Sequence, residues 1–248
     1  MTTRAVIITG GGTGIGRAAA LRFAERGDRV LVVGRTAATL EETAAGHENI
    51  RPLVADVTGP GAGERVVEAA LRAFGRLDVL VNNAATGSFA PLAKLDRDAV
   101  ERQFATDLVA PAFLARAALD ALEETGGTIV NVSTAASLTT QGFPDNAVYM
   151  AAKAGLNQFT RAWAVELAPR GIRVVSVAPG VTDTGIGQRV GMSDAQYQYF
   201  LDQIRQRIPA GRVATPEEVA WWITTLTEPG GSYATGAIVP VDGGLTLT

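Results

Sequence analysis

The chain has 248 residues, of which 47% are hydrophobic and 19% charged, so it can form a sizeable core and disorder is excluded for most of its length. The net charge of −3 provides no basic surface for nucleic acid or anionic lipid. Because there is no cysteine and only one histidine, we exclude a disulfide scaffold, a thiolate metal site, a cysteine nucleophile and a serine–histidine–aspartate triad, and we expect no metal.

Short apolar runs alternate with longer segments of helical periodicity along the chain. The predicted strands span residues 5–9, 29–33, 50–55, 79–82, 127–132, 172–178 and 237–241. The predicted helices span residues 15–26, 36–45, 63–74, 96–123, 149–168 and 216–226. Strands rich in valine and isoleucine that alternate with helices are typical of a parallel sheet with right-handed crossovers. We therefore predict an α/β fold: a single domain, 1–248, with a doubly wound, Rossmann-like parallel sheet and helices on both faces.

Residues 184–211 interrupt the alternation and predict a small helical substrate lobe that covers the site and can order on binding. Large apolar side chains in and near this lobe suggest an apolar or aromatic substrate, although an equally weighted alternative assigns several of them to the core; they are Met192, Tyr197, Phe200, Phe89, Leu138 and Phe143. The N-terminal region has no long apolar stretch behind a basic start, so we predict no signal peptide, no membrane span and a cytoplasmic protein.

The first predicted strand leads into the first helix through a glycine-rich turn, TGGGTGIG, at residues 9–16. Glycine lets the backbone turn tightly and approach a ligand closely, and the free N–H groups at a helix N-terminus suit a pyrophosphate. The alternative, a turn without a ligand, is disfavoured by the position after the first strand of a doubly wound sheet. The candidate phosphate-binding residues are Gly10, Gly12, Thr13, Gly14, Ile15 and Gly16.

The TGxxxGxG spacing of this turn resembles the short-chain dehydrogenase/reductase family. Further motifs follow in that family's order over essentially the whole chain: DV at 56–57, NNAA at 82–85, YMAAK at 149–153, PGVTDT at 179–184, GR and PEE within 211–218, and DGG at 242–244. The resemblance implies a nicotinamide cofactor. Beyond the glycine turn, the residues that it implies as cofactor contacts are Asp56, Val57, Asn83, Ala84, Tyr149, Lys153, Pro179, Gly180, Thr182 and Thr184.

The end of the second predicted strand bears on the choice between NADP(H) and NAD(H). In dinucleotide-binding folds an acidic residue at this place binds the ribose 2′-OH and repels a 2′-phosphate. Here the uncharged Gly34 is followed by Arg35, whose guanidinium pairs well with a phosphate. We therefore predict NADP(H), with Arg17 as a further candidate contact. The alternative is that Arg35 and Arg17 are solvated surface residues.

Tyr149 and Lys153 are four residues apart, so they lie on one face of the predicted helix. A nearby ammonium favours the phenolate and is expected to lower the pKa of Tyr149 from its usual value near 10. The resemblance to the family implies that Tyr149 is the general acid/base and that Lys153 also binds the nicotinamide ribose. Taken without the other motifs, the pair would be interpreted as a core aromatic residue and a snorkelling lysine.

The family's catalytic serine falls on Thr134, 15 residues before Tyr149. A threonine hydroxyl can orient a carbonyl oxygen as a serine hydroxyl does, and its methyl group narrows the pocket. Ser133 and Ser137 are alternatives, but strand alternation points Ser133 the other way. The expected substrate-pocket residues are Ala85, Ser137, Phe143 and Met192.

Two further positions depart from the family pattern. The helix asparagine that holds a relay water falls on Asp107, whose charge is expected to raise the pKa of Lys153. An equally weighted alternative is that Asp107 only caps an irregularity in the long helix. Ala85 replaces a glycine near the nicotinamide. The form NNAA also occurs in the family's dienoyl-CoA reductase-like branch, which lacks the tyrosine that is present here.

We therefore expect an NADP(H)-dependent oxidoreductase that transfers a hydride between nicotinamide and a carbonyl/alcohol substrate, with Tyr149, Lys153, Thr134 and Asp107 as catalytic residues. The alternatives are a dienoyl, enoyl or imine reductase of the same fold, or an NADP-binding regulatory protein with little turnover. The resemblance also implies a homotetramer, or a homodimer, in which the helices 96–123 and 149–168 pack across subunits.

Overall fold

The computed structural model describes residues 3–87, 89–140, 144–189 and 191–248. Within these residues the strands are Ala5–Thr9 (β1), Arg29–Gly34 (β2), Ile50–Val54 (β3), Val79–Asn82 (β4), Thr128–Val132 (β5), Arg173–Pro179 (β6) and Ile238–Val241 (β7). They form one parallel sheet in the order β3-β2-β1-β4-β5-β6-β7. The predicted doubly wound sheet is confirmed.

The α-helices cover both faces of this sheet, as predicted. They are Gly14–Glu25 (α1), Ala37–Ala44 (α2), Ala62–Phe74 (α3), Arg97–Phe104 (α4), Ala110–Glu123 (α5), Ala147–Leu167 (α6), Ile186–Arg189 (α7), Asp194–Arg205 (α8) and Pro216–Leu226 (α9). Among the described residues, no helix has both the length and the apolar composition needed to cross a membrane.

The core lies on both sides of the sheet, because side chains of each strand alternate between its two faces. In β1, Val6 and Ile8 pack against α1 and α9, whereas Ala5 and Ile7 pack against α3 and α5. All four of these side chains are 0% exposed. A strand buried on both faces needs a continuous apolar run, which explains the sequence of β1.

The strand order reverses between β1 and β4. The chain proceeds from β1 through β2 to β3 on one side, and from β4 to β7 on the other. The connections that leave the carboxyl ends of β1 and β4 therefore run apart and leave a crevice between them, which is where ligands bind in sheets of this kind. The glycine-rich turn after β1 and the NNAA motif at the end of β4 both border this crevice.

The helix predicted over 96–123 has the expected extent but is not regular. A π-helical turn, Ala105–Val109, joins α4 to α5 without a break. Such a turn accommodates one extra residue and is frequent at functional sites. It contains Asp107, so the predicted irregularity at this residue exists.

The predicted lobe contains the two helices α7 and α8. A capping box begins α8, because the Ser193 hydroxyl accepts the Gln196 N–H and the Gln196 side chain accepts the Ser193 N–H. The lobe is joined to the residues after β6 by Tyr197, whose hydroxyl donates to Asp183 Oδ1 at 3.0 Å.

Candidate active site

A cavity of about 630 Å³ occupies the crevice at the carboxyl ends of the strands. Arg35 and Asp56, which follow β2 and β3, line one end of it, and Thr134 and Pro179, at the ends of β5 and β6, line the other. The residues expected to contact the cofactor all lie on its wall except Gly16 and the further candidate Arg17. The sequence motifs are therefore brought together at one site.

The glycine-rich turn is built so that the backbone can approach itself closely. Gly10 and Gly14 have φ values of +66° and +51°, which favour glycine. A Cβ at Gly16 would stand 2.2 Å from the Gly10 carbonyl oxygen and 2.5 Å from Asn83 Nδ2. Gly16 therefore lies beneath the turn and lets α1 pack against it, rather than facing the cavity.

Asn83 connects this turn to the end of β4. Its Nδ2 donates to the carbonyl oxygen of Thr9 at 2.8 Å, and the Thr9 hydroxyl accepts the N–H groups of Asn83 and Ala84 at 3.0 and 2.9 Å. The two loops that border the crevice are thereby held to each other. Asn83 and Ala84 therefore line the cavity and also hold the loop after β4 to the glycine-rich turn.

The two arginines considered at the sequence level have different surroundings. Arg35 is exposed on the cavity wall, and its guanidinium makes no hydrogen bond with another described residue. Arg17 instead donates to the Gly12 carbonyl oxygen at 3.0 Å and to Glu42 at 2.7 Å. Arg17 braces the turn against α2, so the structure does not support the expectation of a free phosphate contact.

Asp56 accepts the N–H and hydroxyl of Thr58, and these bonds lower its pKa.

Lys153 is held by buried polar partners. Its side chain is 2% exposed, and Nζ donates to the Val132 carbonyl oxygen at 2.9 Å. Asp107 Oδ2 lies 3.8 Å from Nζ. Burial lowers the pKa of Lys153, and the charge of Asp107 opposes this shift. The expected direction of the Asp107 effect is correct, but burial outweighs it.

Asp107 is more than a cap on an irregular turn. Its carboxylate accepts the Thr86 N–H at 2.9 Å and Gln103 Nε2 at 2.7 Å, and it is 0% exposed. Burial raises its pKa, while the positive charge of Lys153 and the two hydrogen bonds lower it. Asp107 therefore lies in the expected irregularity and faces Lys153, while its part in a proton relay stays a prediction.

Tyr149 corrects a prediction. The expectation that Lys153 lowers its pKa is wrong, because burial and then the negative charge of Asp107 raise the pKa of Tyr149 well above 10. A hydrogen bond with Thr134 offsets only part of this rise. Lys153 Nζ lies 5.9 Å from the centre of the Tyr149 ring, and its charge is directed to Val132 and Asp107. Tyr149 is therefore held as a protonated phenol.

The hydroxyl groups after β5 divide as the strand geometry predicts. Thr134 is on the cavity wall, next to Tyr149. Ser133 has its hydroxyl turned to the interior, where it accepts from Ser176 at 3.1 Å. Ser137 does not line the cavity as expected; its hydroxyl donates to the Thr134 carbonyl oxygen at 2.7 Å and accepts from Asn157 at 2.8 Å. Ser137 is thus a support for Thr134.

The apolar residues proposed for the substrate divide into two groups. Phe200 and Ala85 line the cavity, and the Phe89 ring meets the Tyr149 ring edge-on with centroids 6.0 Å apart. Tyr197 is 2% exposed and packs inside the lobe, so for this residue the alternative that assigned it to the core is the one that fits. Met192 and Leu138 are 40% and 36% exposed and do not line the cavity, which contradicts the expectation for Met192. Phe143 lies outside the described residues.

Several wall residues carried no sequence signal that we used. Thr36 and Thr39 follow Arg35, and Thr36 occupies the N-cap position of α2, which its residue type could have indicated. Thr86, Thr106 and Ile186 also line the cavity. Gln103 was missed because nothing in its neighbourhood distinguishes it from a surface glutamine of an amphipathic helix.

Comparison with known proteins identifies the family. A family model described as enoyl-(acyl carrier protein) reductase matches residues 10–246. The solved structure of a short-chain dehydrogenase/reductase from Caenorhabditis elegans, determined with its cofactor, superposes with a TM-score of 0.92 at 34% identity, covering 99% of this chain and 96% of that one. The chain belongs to the short-chain dehydrogenase/reductase family. The resemblance inferred from the motifs is confirmed.

Curated relatives in this short-chain dehydrogenase/reductase family span nearly the full chain. The D-erythrulose reductase of Gallus gallus is 36% identical over 247 residues, covering 99% of this chain and 96% of the relative. The cis-4-hydroxycyclohexanecarboxylate dehydrogenase of Sinomonas cyclohexanicum is 39% identical over 250 residues, covering 98% of this chain and 96% of the relative. These names describe the relatives, and they indicate the general chemistry of an oxidoreductase.

Proposed function

We propose that the protein is an NADP(H)-dependent oxidoreductase that interconverts a carbonyl compound and an alcohol. The observation that carries this proposal is the meeting of Tyr149, Lys153 and Thr134 at one end of a cavity whose other wall is the glycine-rich turn. A proton donor is thus joined to a dinucleotide-binding crevice in one domain, 1–248.

The residues present fit a nicotinamide dinucleotide. The close packing of Gly16 under Gly10 leaves the turn open to a pyrophosphate, and the N-terminus of α1 supplies N–H groups there. The residues that we propose as cofactor contacts are Gly10, Gly12, Thr13, Gly14, Ile15, Arg35, Asp56, Val57, Asn83, Ala84, Tyr149, Lys153, Pro179, Gly180, Thr182 and Thr184, with Gly16 as support. A bound nicotinamide supplies hydride transfer.

Arg35 supports the choice of NADP(H). It is exposed at the end of β2 on the cavity wall, and its guanidinium has no hydrogen-bonding partner among the described residues. A 2′-phosphate would provide two acceptor oxygens for such a group. The neighbouring residue is Gly34 rather than an acid, so no carboxylate at this position would repel the phosphate.

The catalytic roles follow from the protonation states of the site. In reduction, Tyr149 donates the proton from its hydroxyl to the carbonyl oxygen of the substrate, and Thr134 orients that oxygen. A raised pKa keeps Tyr149 protonated at neutral pH, which suits the reducing direction. Lys153 would bind the nicotinamide ribose, with its ammonium held by the Val132 carbonyl oxygen and Asp107. Asp107 holds Lys153 and supports the return of the proton.

The cavity favours an apolar or aromatic carbonyl substrate. Phe200 and Ile186 from the lobe and Ala85 after β4 contribute apolar surface to its wall, with Phe89 against Tyr149.

Exposed apolar side chains on α5 and α6, such as Phe113 at 50% and Val165 at 79%, support a homotetramer in which these helices pack between subunits. A cytoplasmic location completes the proposal.

A cofactor and substrate screen tests this function. NADPH and NADH oxidation would be followed with acetophenone, butane-2,3-dione and ethyl acetoacetate, and with a crotonyl thioester and a cyclic imine. We expect turnover of at least one ketone with NADPH. We also expect kcat/KM to be at least tenfold higher with NADPH than with NADH, because the 2′-phosphate would add one charged pair with Arg35. Reduction of the thioester or imine alone would favour an enoyl or imine reductase. Tight NADPH binding without turnover would favour the regulatory protein.

A further inference from the structure

Residues 83–87, which follow β4 and border the cavity, are held by side chains of the neighbouring helix. The N–H of Thr86 donates to Asp107 Oδ1 at 2.9 Å, and its carbonyl oxygen accepts from Gln103 Nε2 at 2.8 Å. The N–H and the carbonyl oxygen of Thr86 are therefore both hydrogen-bonded by side chains that are four residues apart in the chain. Thr86 and Gly87 themselves line the cavity.

Gln103 and Asp107 are matched in donors and acceptors. Gln103 Nε2 also donates to Asp107 Oδ2 at 2.7 Å, so one amide nitrogen uses both of its hydrogens. Both side chains are 0% exposed, and buried polar groups of this kind must be paired. The carboxylate, which only accepts, suits two donors, and Lys153 Nζ at 3.8 Å balances its charge.

An amide at position 107 would break this match. The Nδ2 donor created by Asp107→Asn would face either the Thr86 N–H or Gln103 Nε2. Turning the Gln103 amide would only move the conflict, because Oε1 would then face the Thr86 carbonyl oxygen. The acid at position 107 is thus required by Gln103 and Thr86, independently of any part it has in proton transfer.

We propose that Gln103 is a positioning residue, which acts with Asp107 to fix Thr86 and thereby determines substrate selectivity. The Phe89 ring, three residues after Thr86, stands edge-on against Tyr149. A displacement of Thr86 would therefore change the space in front of the phenol. This inference rests on the proposed function for its kinetic part, whereas its structural part does not need turnover.

Gln103→Met tests the proposal, because it keeps the side-chain volume and removes both donated hydrogen bonds. Amide hydrogen exchange followed by mass spectrometry in peptides covering Asn83 to Gly87 is expected to become about tenfold faster. With NADPH and the ketones above, KM is expected to rise about fivefold and the acetophenone to butane-2,3-dione selectivity to change, while the Kd for NADPH stays within about twofold. Gln158→Met, at an exposed position of α6 that does not line the cavity, is the matched control.

Two further readouts keep the proposal falsifiable. Asp107→Asn should also accelerate exchange at Thr86, and the double variant should add less than the sum of the two effects, since both act on one residue. Unchanged exchange in a folded Gln103→Met protein would overturn the proposal. So would faster exchange with an unaltered ketone selectivity. If no carbonyl is turned over by the parent protein, the proposed function fails, while exchange still decides whether Gln103 fixes Thr86.

Discussion

The cofactor side and the substrate side of the cavity are held together in different ways. We define the cofactor side as residues 9–16 with Arg35, Asn83 and Ala84, and the substrate side as residues 85–87 with the lobe residues 185–211. On the cofactor side the backbone of the turn packs against itself, with Gly16 so close to Gly10 that a Cβ would come within 2.2 Å of a carbonyl oxygen, and the Thr9 and Asn83 side chains only join this turn to β4. On the substrate side, buried side chains such as Gln103 and Tyr197 make the connections.

This difference separates what the site must keep from what it can vary. Contacts between backbone atoms tolerate no added side chain, so the cofactor side depends on glycine at fixed positions. Contacts made by side chains can be exchanged for others of similar size. We therefore expect substitutions on the cofactor side to affect coenzyme binding strongly, and those on the substrate side to alter substrate preference moderately.

The largest effect is expected where the two sides meet, at Tyr149. Tyr149→Phe removes the proton donor and keeps the ring, so kcat for ketone reduction should fall by about a thousandfold. The Kd for NADPH, measured by fluorescence titration, should stay within about threefold of the parental value. Turnover close to that of the parent would show that another group supplies the proton.

The next largest effect is expected from Gly16→Ala on the cofactor side. The new Cβ would clash with the Gly10 carbonyl oxygen and Asn83, so the turn must move. We expect the Kd for NADPH to rise about a hundredfold, with destabilisation of about 1–3 kcal/mol in denaturant unfolding. Gly230→Ala is the control, since no atom lies within 4 Å of its added Cβ. Equal changes in the Kd for NADPH in the two variants would contradict the claim that the cofactor side depends on glycine at position 16.

At the outer end of the cofactor side, Arg35→Asp should alter the choice of coenzyme. Losing one charge-assisted phosphate contact and adding a repelling carboxylate should lower the ratio of kcat/KM for NADPH to that for NADH by about a hundredfold. Arg51→Asp, on exposed β3, makes the same change in net charge and should leave the ratio within about twofold. An unchanged or higher ratio in the Arg35 variant would exclude NADP(H) selection by this residue.

The pH dependence distinguishes the charge of Asp107 from its hydrogen bonds. Reduction needs protonated Tyr149 and is lost as pH rises through its pKa, which the Asp107 charge raises. Asp107→Asn should therefore move the alkaline limb of the kcat profile to lower pH, with kcat at pH 7 changed less than about tenfold. Gln103→Met keeps the charge and should leave that limb in place. If the alkaline limb of the Asp107→Asn profile moved to higher pH, the inference that the Asp107 charge raises the pKa of Tyr149 would be wrong.

The smallest effect is expected in the lobe. Tyr197→Phe keeps the buried ring but loses the hydrogen bond to Asp183 and the backbone hydrogen bonds from Thr184 and Gly185, so the lobe should be held less firmly. We expect KM for ketones to rise about threefold, with the Kd for NADPH unchanged, as for a net loss of about 1 kcal/mol. Tyr199→Phe, at an exposed tyrosine of the same helix, is the matched control. Identical KM values in both variants would remove Tyr197 from the substrate side.

The same contrast explains how far the sequence could be interpreted. The cofactor side was predictable because its function depends on residue types at fixed spacing in one loop, such as Gly10, Gly14 and Gly16. The strands were predictable because β1 to β7 are apolar runs between turn residues. Tyr149 and Lys153 were predictable because four residues bring them to one face of α6.

The substrate side was only partly predictable, because its contacts join residues that are distant in the chain. Nothing local indicates that Gln103 reaches Thr86, or that Ser137 supports Thr134 instead of lining the cavity. The pKa of Tyr149 was predicted in the wrong direction because the ammonium of Lys153 was assumed to face the phenol. The direction depends on burial and on which acceptors that ammonium faces, and neither is visible in the YMAAK spacing.

The π-helical turn at Ala105–Val109 makes chain length, as well as residue type, a condition for this site. Deleting one residue there would close the widened turn to α-helical hydrogen bonding and change the directions of the side chains within it. Asp107 would then turn away from either Lys153 or Gln103, although no residue that touches substrate had been replaced. Variation in this helix is therefore expected to preserve the number of residues more strictly than their identities.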